Sequence, residues 1–252
     1  MARGRMKMDA HLRTDFTGRV ALLTGAGGGI GRVLARRLAA LGFSLALIGR
    51  SEERLREAAQ YANCAGRALL IPGDLTDPAF LQGAVGRVLD SFGRLDLLVN
   101  NAGICFVKPL EETSYAELDA MMKTNVYAPY LLCRDAVAPL KRSDCATIVN
   151  IGSVVSHQGY ATQSAYAAAK HALMGMTKAL AAEVYRDGIR VHILCPGAVN
   201  TDMAKTVSRP DMDMDALIAP EDIADVVEFL LTHRGNAVID EVRMHRVGKQ
   251  PF

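Results

Sequence analysis

The sequence predicts an α/β fold, a doubly wound parallel sheet of about seven strands with helices on both faces, and three observations carry that prediction. From Arg19 onward, short apolar runs alternate with longer segments whose apolar residues recur every three or four positions. The short runs are apolar throughout and lack the alternation of a half-exposed sheet, as strands covered on both faces require. Half of the 252 residues are hydrophobic, enough for one substantial core, and no repeat or linker divides the chain.

Taken in order, the strands are expected at Val20 to Leu23, Leu45 to Ile48, Ala68 to Ile71, Leu95 to Val99, Thr147 to Ile151, Arg190 to Leu194 and Ala237 to Val242. Helices are expected between them at Ile30 to Leu41, Glu52 to Ala62, Pro78 to Phe92, Tyr115 to Leu140, Ser164 to Tyr185 and Pro220 to Leu231. Pro220 suits a first helical turn, and Glu221 and Asp222 favour the positive end of the helix dipole. Asn125 falls inside the longest helical run, where its side chain competes for backbone hydrogen bonds, so a local kink is expected there. Residues 1–16 read as a flexible tail and 17–252 as one domain, with Met203 to Ala219 its least patterned stretch.

Composition narrows the function. A formal net charge of +2, with basic and acidic residues interspersed, offers no footprint for nucleic acid. No uninterrupted apolar run is long enough to span a membrane, and the basic, polar first residues lack a signal-peptide core. Five cysteines (Cys64, Cys105, Cys133, Cys145, Cys195) without a C-x-x-C pair suggest reduced thiols, a cytoplasmic location and no metal site. The expected partner is a small molecule.

After the first strand comes Thr24-Gly25-Ala26-Gly27-Gly28-Gly29-Ile30-Gly31, and a helix follows. Glycines there permit positive φ and close approach of a ligand, while the helix start presents free N–H groups and a positive dipole end. No strict G-x-G-x-x-G fits these glycines, and no Lys-Ser or Lys-Thr follows for a nucleoside triphosphate. The position, at the first strand-to-helix junction of a Rossmann-type sheet, favours a dinucleotide pyrophosphate over a bare flexible turn. The second strand ends Ile48-Gly49-Arg50-Ser51 without the acid that holds an adenosine ribose. Arg50 could pair with a 2′-phosphate, which favours NADP(H) over NAD(H), or it could be a solvated arginine opening the next helix.

Tyr166 and Lys170 stand four apart in a helical segment and so share a face, where an ammonium would lower the pKa of a phenol into a usable acid/base range. That spacing also arises by chance, but Ser153 directly follows the strand ending at Ile151, at the sheet edge where ligands bind. A Ser153-His157 hydrolase pair is disfavoured, because Ile151 stands where G-x-S-x-G needs its first glycine. Cys195, next to Pro196, reads as packing.

With these residues in place the chain resembles the short-chain dehydrogenases/reductases from about Thr17 to Ile239. The matching elements, in order, are Thr24-Gly25-x-x-x-Gly29-x-Gly31, Asp74-Leu75, Asn100-Asn101-Ala102-Gly103, Asn125, Ser153, Tyr166-x-x-x-Lys170, and Pro196-Gly197 followed by Thr201. The resemblance implies an oxidoreductase that interconverts a carbonyl and an alcohol by hydride transfer with a nicotinamide dinucleotide. It implies Tyr166 as general acid/base, Ser153 as hydrogen-bond partner of the reacting oxygen, and Lys170 as ligand of the nicotinamide ribose. Asn125 would complete a water relay. Asp74 and Leu75 would meet the adenine, Asn101, Ala102 and Gly103 the ribose wall, and Pro196, Gly197, Val199 and Thr201 the carboxamide. His157 and Met203 are expected in the substrate pocket beside Ser153 and Tyr166.

The resemblance is to members like the 3-oxoacyl carrier-protein reductases, so a thioester reductase stands as an alternative, and a catalytically silent dinucleotide-binding protein as another. A homodimer or homotetramer is implied, although the tail from Ala237 to Phe252 lacks the family's glycine-rich ending and puts tetramer geometry in doubt. The short, methionine-bearing stretch with Met203, Met212 and Met214 is expected to act as a substrate lid, with Lys205 and Arg209 as its only basic groups.

Overall fold

Seven parallel strands build the sheet: Val20–Thr24 (β1), Ser44–Gly49 (β2), Ala68–Pro72 (β3), Leu97–Asn100 (β4), Thr147–Ile151 (β5), Arg190–Pro196 (β6) and Glu241–Met244 (β7). Their spatial order is β3-β2-β1-β4-β5-β6-β7, so the direction of winding reverses between β1 and β4. A crevice opens at the carboxyl ends of strands at such a reversal. The structure, a computed structural model, describes residues 12–207 and 213–248; Arg209, Met212 and most of the expected tail lie outside them.

Each strand feeds both faces, which is why the runs are apolar without alternation. In β1, Ala21 and Leu23 pack on one side and Val20 and Leu22 on the other. The first side is covered by helices Gly29–Ala40 (α1) and Glu52–Tyr61 (α2) and by Pro220–Thr232 (α8), through Leu34, Leu38, Leu55, Ile223 and Val227. Pro78–Phe92 (α3), Ala128–Leu140 (α5) and Ser164–Val184 (α6) cover the second, through residues such as Leu81, Val85, Leu132, Ala136 and Val184. Each fully buried leucine contributes about 1.5–3 kcal/mol.

Local signals set the boundaries. Asp77 caps α3 by accepting from Ala79 N at 2.9 Å ahead of Pro78, and Gly93 closes it at φ +72°. Helix α8 begins at Pro220 as expected, with Asp222 Oδ2 accepting from Ala219 N at 3.0 Å.

Three expectations are revised. The helix expected over Tyr115 to Leu140 is Tyr115–Met122 (α4) and α5, joined by a π-helical segment at Lys123–Tyr127 centred on Asn125. The expected kink therefore takes the form of one widened turn. The last strand begins at Glu241 rather than Ala237. Before it, Val238 and Ile239 are exposed and the Ile239 carbonyl is engaged by the His192 ring, so the ladder with β6 starts only at Ile193 opposite Glu241. Strand β4 starts at Leu97 because Asp96, fully buried, turns its carboxylate to Val20 N (2.9 Å), Arg94 and Ser143. The stretch after Thr201 carries one short helix, Asp202–Val207 (α7).

Candidate active site

The glycine-rich turn closes on itself so tightly that side chains are excluded. Gly25 has φ +67°, and a Cβ on Gly31 would stand 2.1 Å from the Gly25 carbonyl oxygen. A Cβ on Gly29 would meet Thr201 Cγ2 at 2.7 Å, and one on Gly27 would meet Arg54 Cβ at 2.9 Å. Helix α1 starts at Gly29, and its N-cap Gly28 offers no side-chain acceptor, so the first-turn N–H groups remain available to an anion.

The turn forms one wall of a cleft of about 600 Å³. Gly25, Gly27, Gly28, Gly29, Ile30 and Gly31 line it, Arg50, Asp74 and Leu75 face it from the ends of β2 and β3, and Thr201 and Met203 close the far side. Asn101, Ala102 and Gly103 form its floor. They are held by Thr24, whose Oγ1 accepts from Asn101 N and Ala102 N, both at 3.0 Å, while Asn101 Nδ2 donates to Thr24 O at 3.0 Å. The ends of β1 and β4 are thus stapled together where the cleft opens. A cradle that no Cβ could enter, with uncapped helix donors behind it, fits a dinucleotide pyrophosphate.

Arg50 is exposed at the cleft edge, and Arg54, one turn into α2, lines the same edge against Gly27. Asp74 also sits there; its Oδ1 accepts from Thr76 N at 2.8 Å, and this bond, with Arg50 nearby, holds its carboxyl below the usual range. Arg54 is the residue that sequence reasoning missed. Ser51 caps α2 by accepting from Arg54 N at 3.3 Å, so the signal existed in the Ser51-x-x-Arg54 spacing, but the facing of that turn depends on packing.

At the end of β5 the chain passes through Gly152 to Ser153, which opens a 3₁₀ turn over Val154–Ser156. Ser153 is buried; its Oγ accepts from Val155 N at 3.2 Å, and its side chain lies beside the Tyr166 hydroxyl, where it favours the phenolate. Lys170 lies one turn along α6, 4% exposed, with Nζ donating to Ile151 O at 2.7 Å and standing 5.7 Å from the Tyr166 ring centre. Loss of hydration acts on both groups. It pushes the Tyr166 phenol above its ordinary range, with the neighbouring Cys105 adding to this, and pushes Lys170 down to about 8. In the protein alone burial outweighs the groups that favour the phenolate.

Asn125 is 1% exposed and its carboxamide is fully engaged, with Oδ1 accepting from Ile104 N at 2.9 Å and Nδ2 donating to Ile104 O at 2.8 Å. It fixes the segment after Gly103, which runs between Asn125 and Lys170. The loop after β6 is brought against the glycine turn: Gly197 N donates to Met244 O at 2.8 Å, Val199 bridges Ile218, and Thr201 touches Gly29. Pro196 ends β6 immediately before this loop.

His157, expected in the substrate pocket, is held by the last strand. Its Nε2 lies 2.7 Å from Glu241 Oε1 and its Nδ1 accepts from Arg243 at 3.1 Å, so β7 holds the ring. Cys195 is close to the same group, but Arg243 bonds both His157 and Glu241 and fills it with a guanidinium rather than a metal-ready vacancy.

Comparison with known proteins agrees with this geometry. The short chain dehydrogenase profile matches residues 19–211. The chain belongs to the short-chain dehydrogenase family. A 3-oxoacyl-(acyl-carrier-protein) reductase of Salmonella typhimurium is 33% identical over 234 residues, 90% of this chain and 95% of its own. Among solved structures, the 3-ketoacyl-(acyl-carrier-protein) reductase of Brucella melitensis, complexed with NADH, superposes with a TM-score of 0.85 at 29% identity over 93% of this chain and 99% of its own. A metagenomic short-chain oxidoreductase in complex with NADP gives 0.80 at 34% identity, over 92% and 99%. This short-chain dehydrogenase is accordingly an NAD(P)-dependent oxidoreductase acting on CH–OH or carbonyl groups. Among the described residues no helix is long and apolar enough to cross a membrane.

Proposed function

We propose that the protein reduces a small or medium carbonyl compound with NADP(H) preferred over NAD(H), and that Tyr166 is its general acid. The observation that carries this reading is Lys170, anchored to Ile151 O and 5.7 Å from the Tyr166 ring centre, with the Ser153 side chain beside the Tyr166 hydroxyl at the sheet edge that also holds the glycine cradle. When bound, the reduced nicotinamide supplies a hydride to the carbonyl carbon. Tyr166, kept protonated by its dry surroundings, gives its proton to the carbonyl oxygen, and in the oxidative direction the same oxygen takes it back. Ser153 Oγ donates a hydrogen bond to that oxygen as negative charge develops on it. Lys170, tied to Ile151 O, presents its remaining N–H groups to the nicotinamide ribose. Because the Asn125 carboxamide is committed to Ile104, any part it takes in a water relay falls to the widened backbone turn around it.

The cofactor preference rests on Arg50 and Arg54 at one edge of the cleft, where two planar guanidinium groups suit a 2′-phosphate. Asp74 and Leu75 would flank the adenine, and Pro196, Gly197, Val199 and Thr201 the carboxamide. Met203, half-exposed at the cleft mouth, would touch substrate. Replacing Tyr166 by Phe is expected to lower turnover by at least about a hundredfold with NADPH affinity retained; wild-type turnover in that variant overturns the assignment.

Similarity to the two carrier-protein reductases supports a second reading, reduction of a 3-oxoacyl thioester. Competent reduction of acetoacetyl thioesters with little activity on free ketones would select it. A cytoplasmic homo-oligomer is part of this proposal. Tyr115 and Tyr130 are exposed on α4 and α5, and Ala168, Gly175 and Ala179 are exposed on α6, so these helices can approach a second copy closely.

A further inference from the structure

At the opposite edge of the sheet from the glycine cradle lies a second cavity, of about 850 Å³. Strand β6 connects the two ends, since Arg190 opens it and Pro196 closes it beside the dinucleotide cleft. Six strand rises separate them, about 20 Å. Nothing in the proposed reaction uses this cavity.

Three arginines reach it from three different segments: Arg13 before β1, Arg190 at the start of β6, and Arg234 after α8. Arg13 is neutralised by Asp144, which Arg19 also binds, at 2.8 and 2.9 Å. Arg190 and Arg234 are different. Arg190 donates to the carbonyls of His233 (3.2 Å) and Gly235 (2.5 Å), and Arg234 donates to Thr147 Oγ1 (2.8 Å) and toward Ala146 O (3.5 Å). Among the described residues neither forms an ion pair. A guanidinium has five N–H donors, so each keeps several for a ligand.

Three carboxylates line the same cavity without pairing with Arg190 or Arg234 among the described residues. Asp15 spends a carboxylate oxygen on Thr17 N, Asp144 is shared by two arginines, and Asp240, on the cavity wall, forms no ion pair among the described residues. Arg190 and Arg234 also disfavour each other: burial and the neighbouring Arg190 push Arg234 down to about 10. Two partly desolvated cations held in place by neutral acceptors form a site that is relieved by an incoming anion. Beside Asp15 and Asp240 the wall carries exposed apolar side chains of Leu12, Tyr185 and Val238.

We infer that this cavity binds an amphiphilic oxyanion, with a carboxylate or phosphate head between Arg190 and Arg234 and an apolar body along Leu12, Tyr185 and Val238. The site is independent of the reaction proposed above, because no catalytic or cofactor residue lines it.

Calorimetric titration of the NADPH-saturated protein tests it with four probes: octyl phosphate, octanoate, inorganic phosphate and octanol. At least one of the two amphiphilic anions is expected to saturate a site, with octanol and inorganic phosphate at least about tenfold weaker. Saturation by octyl phosphate alone identifies a phosphate head, by octanoate alone a carboxylate. Arg190→Gln and Arg234→Gln are each expected to weaken that binding at least about tenfold and to leave NADPH affinity and carbonyl reduction unchanged. Arg234 also supports the start of β5, so if Arg234→Gln fails to fold, Arg190→Gln decides alone, since its contacts are to loop carbonyls. Absence of saturable binding, or binding unmoved by Arg190→Gln, overturns the inference.

Discussion

His157 Nε2 stands 2.7 Å from Glu241 Oε1, and this contact ties the turn that carries Ser153 to the last strand of the sheet. Arg243 completes the tie by bonding Glu241 at 2.7 Å and His157 at 3.1 Å. Because Nδ1 accepts from a guanidinium, the proton of the neutral ring sits on Nε2. Burial lowers the pKa of His157 more than Glu241 raises it, so the neutral ring is the working form. Glu241→Ala is expected to release the turn and lower kcat several-fold, about 1 kcal/mol, with NADPH Kd unchanged. Equal kcat in the two proteins across pH 5–9 would show that β7 has no positioning role.

Cofactor selectivity is expected to divide between two side chains. Arg50→Ala and Arg54→Ala should each raise the Kd for NADPH by about tenfold while moving that for NADH little, and the double variant should lose most discrimination. Fluorescence titration of both cofactors checks this. Unchanged NADPH affinity in the double variant would return Arg50 and Arg54 to the role of solvated surface charges.

Gly31→Ala is expected to abolish dinucleotide binding, because its Cβ would collide with the Gly25 carbonyl 2.1 Å away and force the turn open. Gly83→Ala, at a helical site with nothing within 4 Å, is the control and should raise stability slightly, by about 0.5–1 kcal/mol. Retained NADPH binding in Gly31→Ala would mean that the turn tolerates another shape.

Stability is expected to fall as pH drops below about 6.5, in part through His192. This ring is 1% exposed, gives one nitrogen to Ile239 O at 2.7 Å, and leaves Nε2 without a partner. Burial lowers its pKa, with Arg190 and Arg234 adding to the effect. The unfolded chain therefore takes up the proton at higher pH than the folded one. Stability is whole above the unfolded value of about 6.5 and is lost as pH falls below it. Denaturant titrations from pH 8 to 5 should show this slope and should show it flattened in His192→Gln. An identical slope in the variant would place the effect elsewhere.

The fold was legible because the first strands carry runs of adjacent apolar residues, as a sheet buried on both faces needs. Ala21 and Leu23 facing one layer and Val20 and Leu22 the other is the direct expression of the pattern. Glycine spacing was equally readable, since each of Gly25, Gly29 and Gly31 stands where a side chain would strike backbone or Thr201. The last strand was misplaced because Val238 and Ile239 look like strand residues in composition, yet both are exposed, and the carbonyls of Ile239 and Asp240 serve the His192 ring and Ile193 N. Arg54 escaped notice for a related reason: its role comes from where α2 packs.

Sequence order alone therefore specified the βα alternation and the glycine-rich turn, because each depends on local geometry or on short spacings, while Ser153, Tyr166 and Lys170 were singled out by the ordered motifs around them. The burial that keeps the Tyr166 proton in place, the withdrawal of His157 to Glu241, the commitment of Asn125 to Ile104 and the meeting of Arg190 with Arg234 were decided only by tertiary structure. Each of these depends on how much water remains around a group and on which distant segment arrives beside it, and neither quantity is encoded in the spacing of residues along the chain.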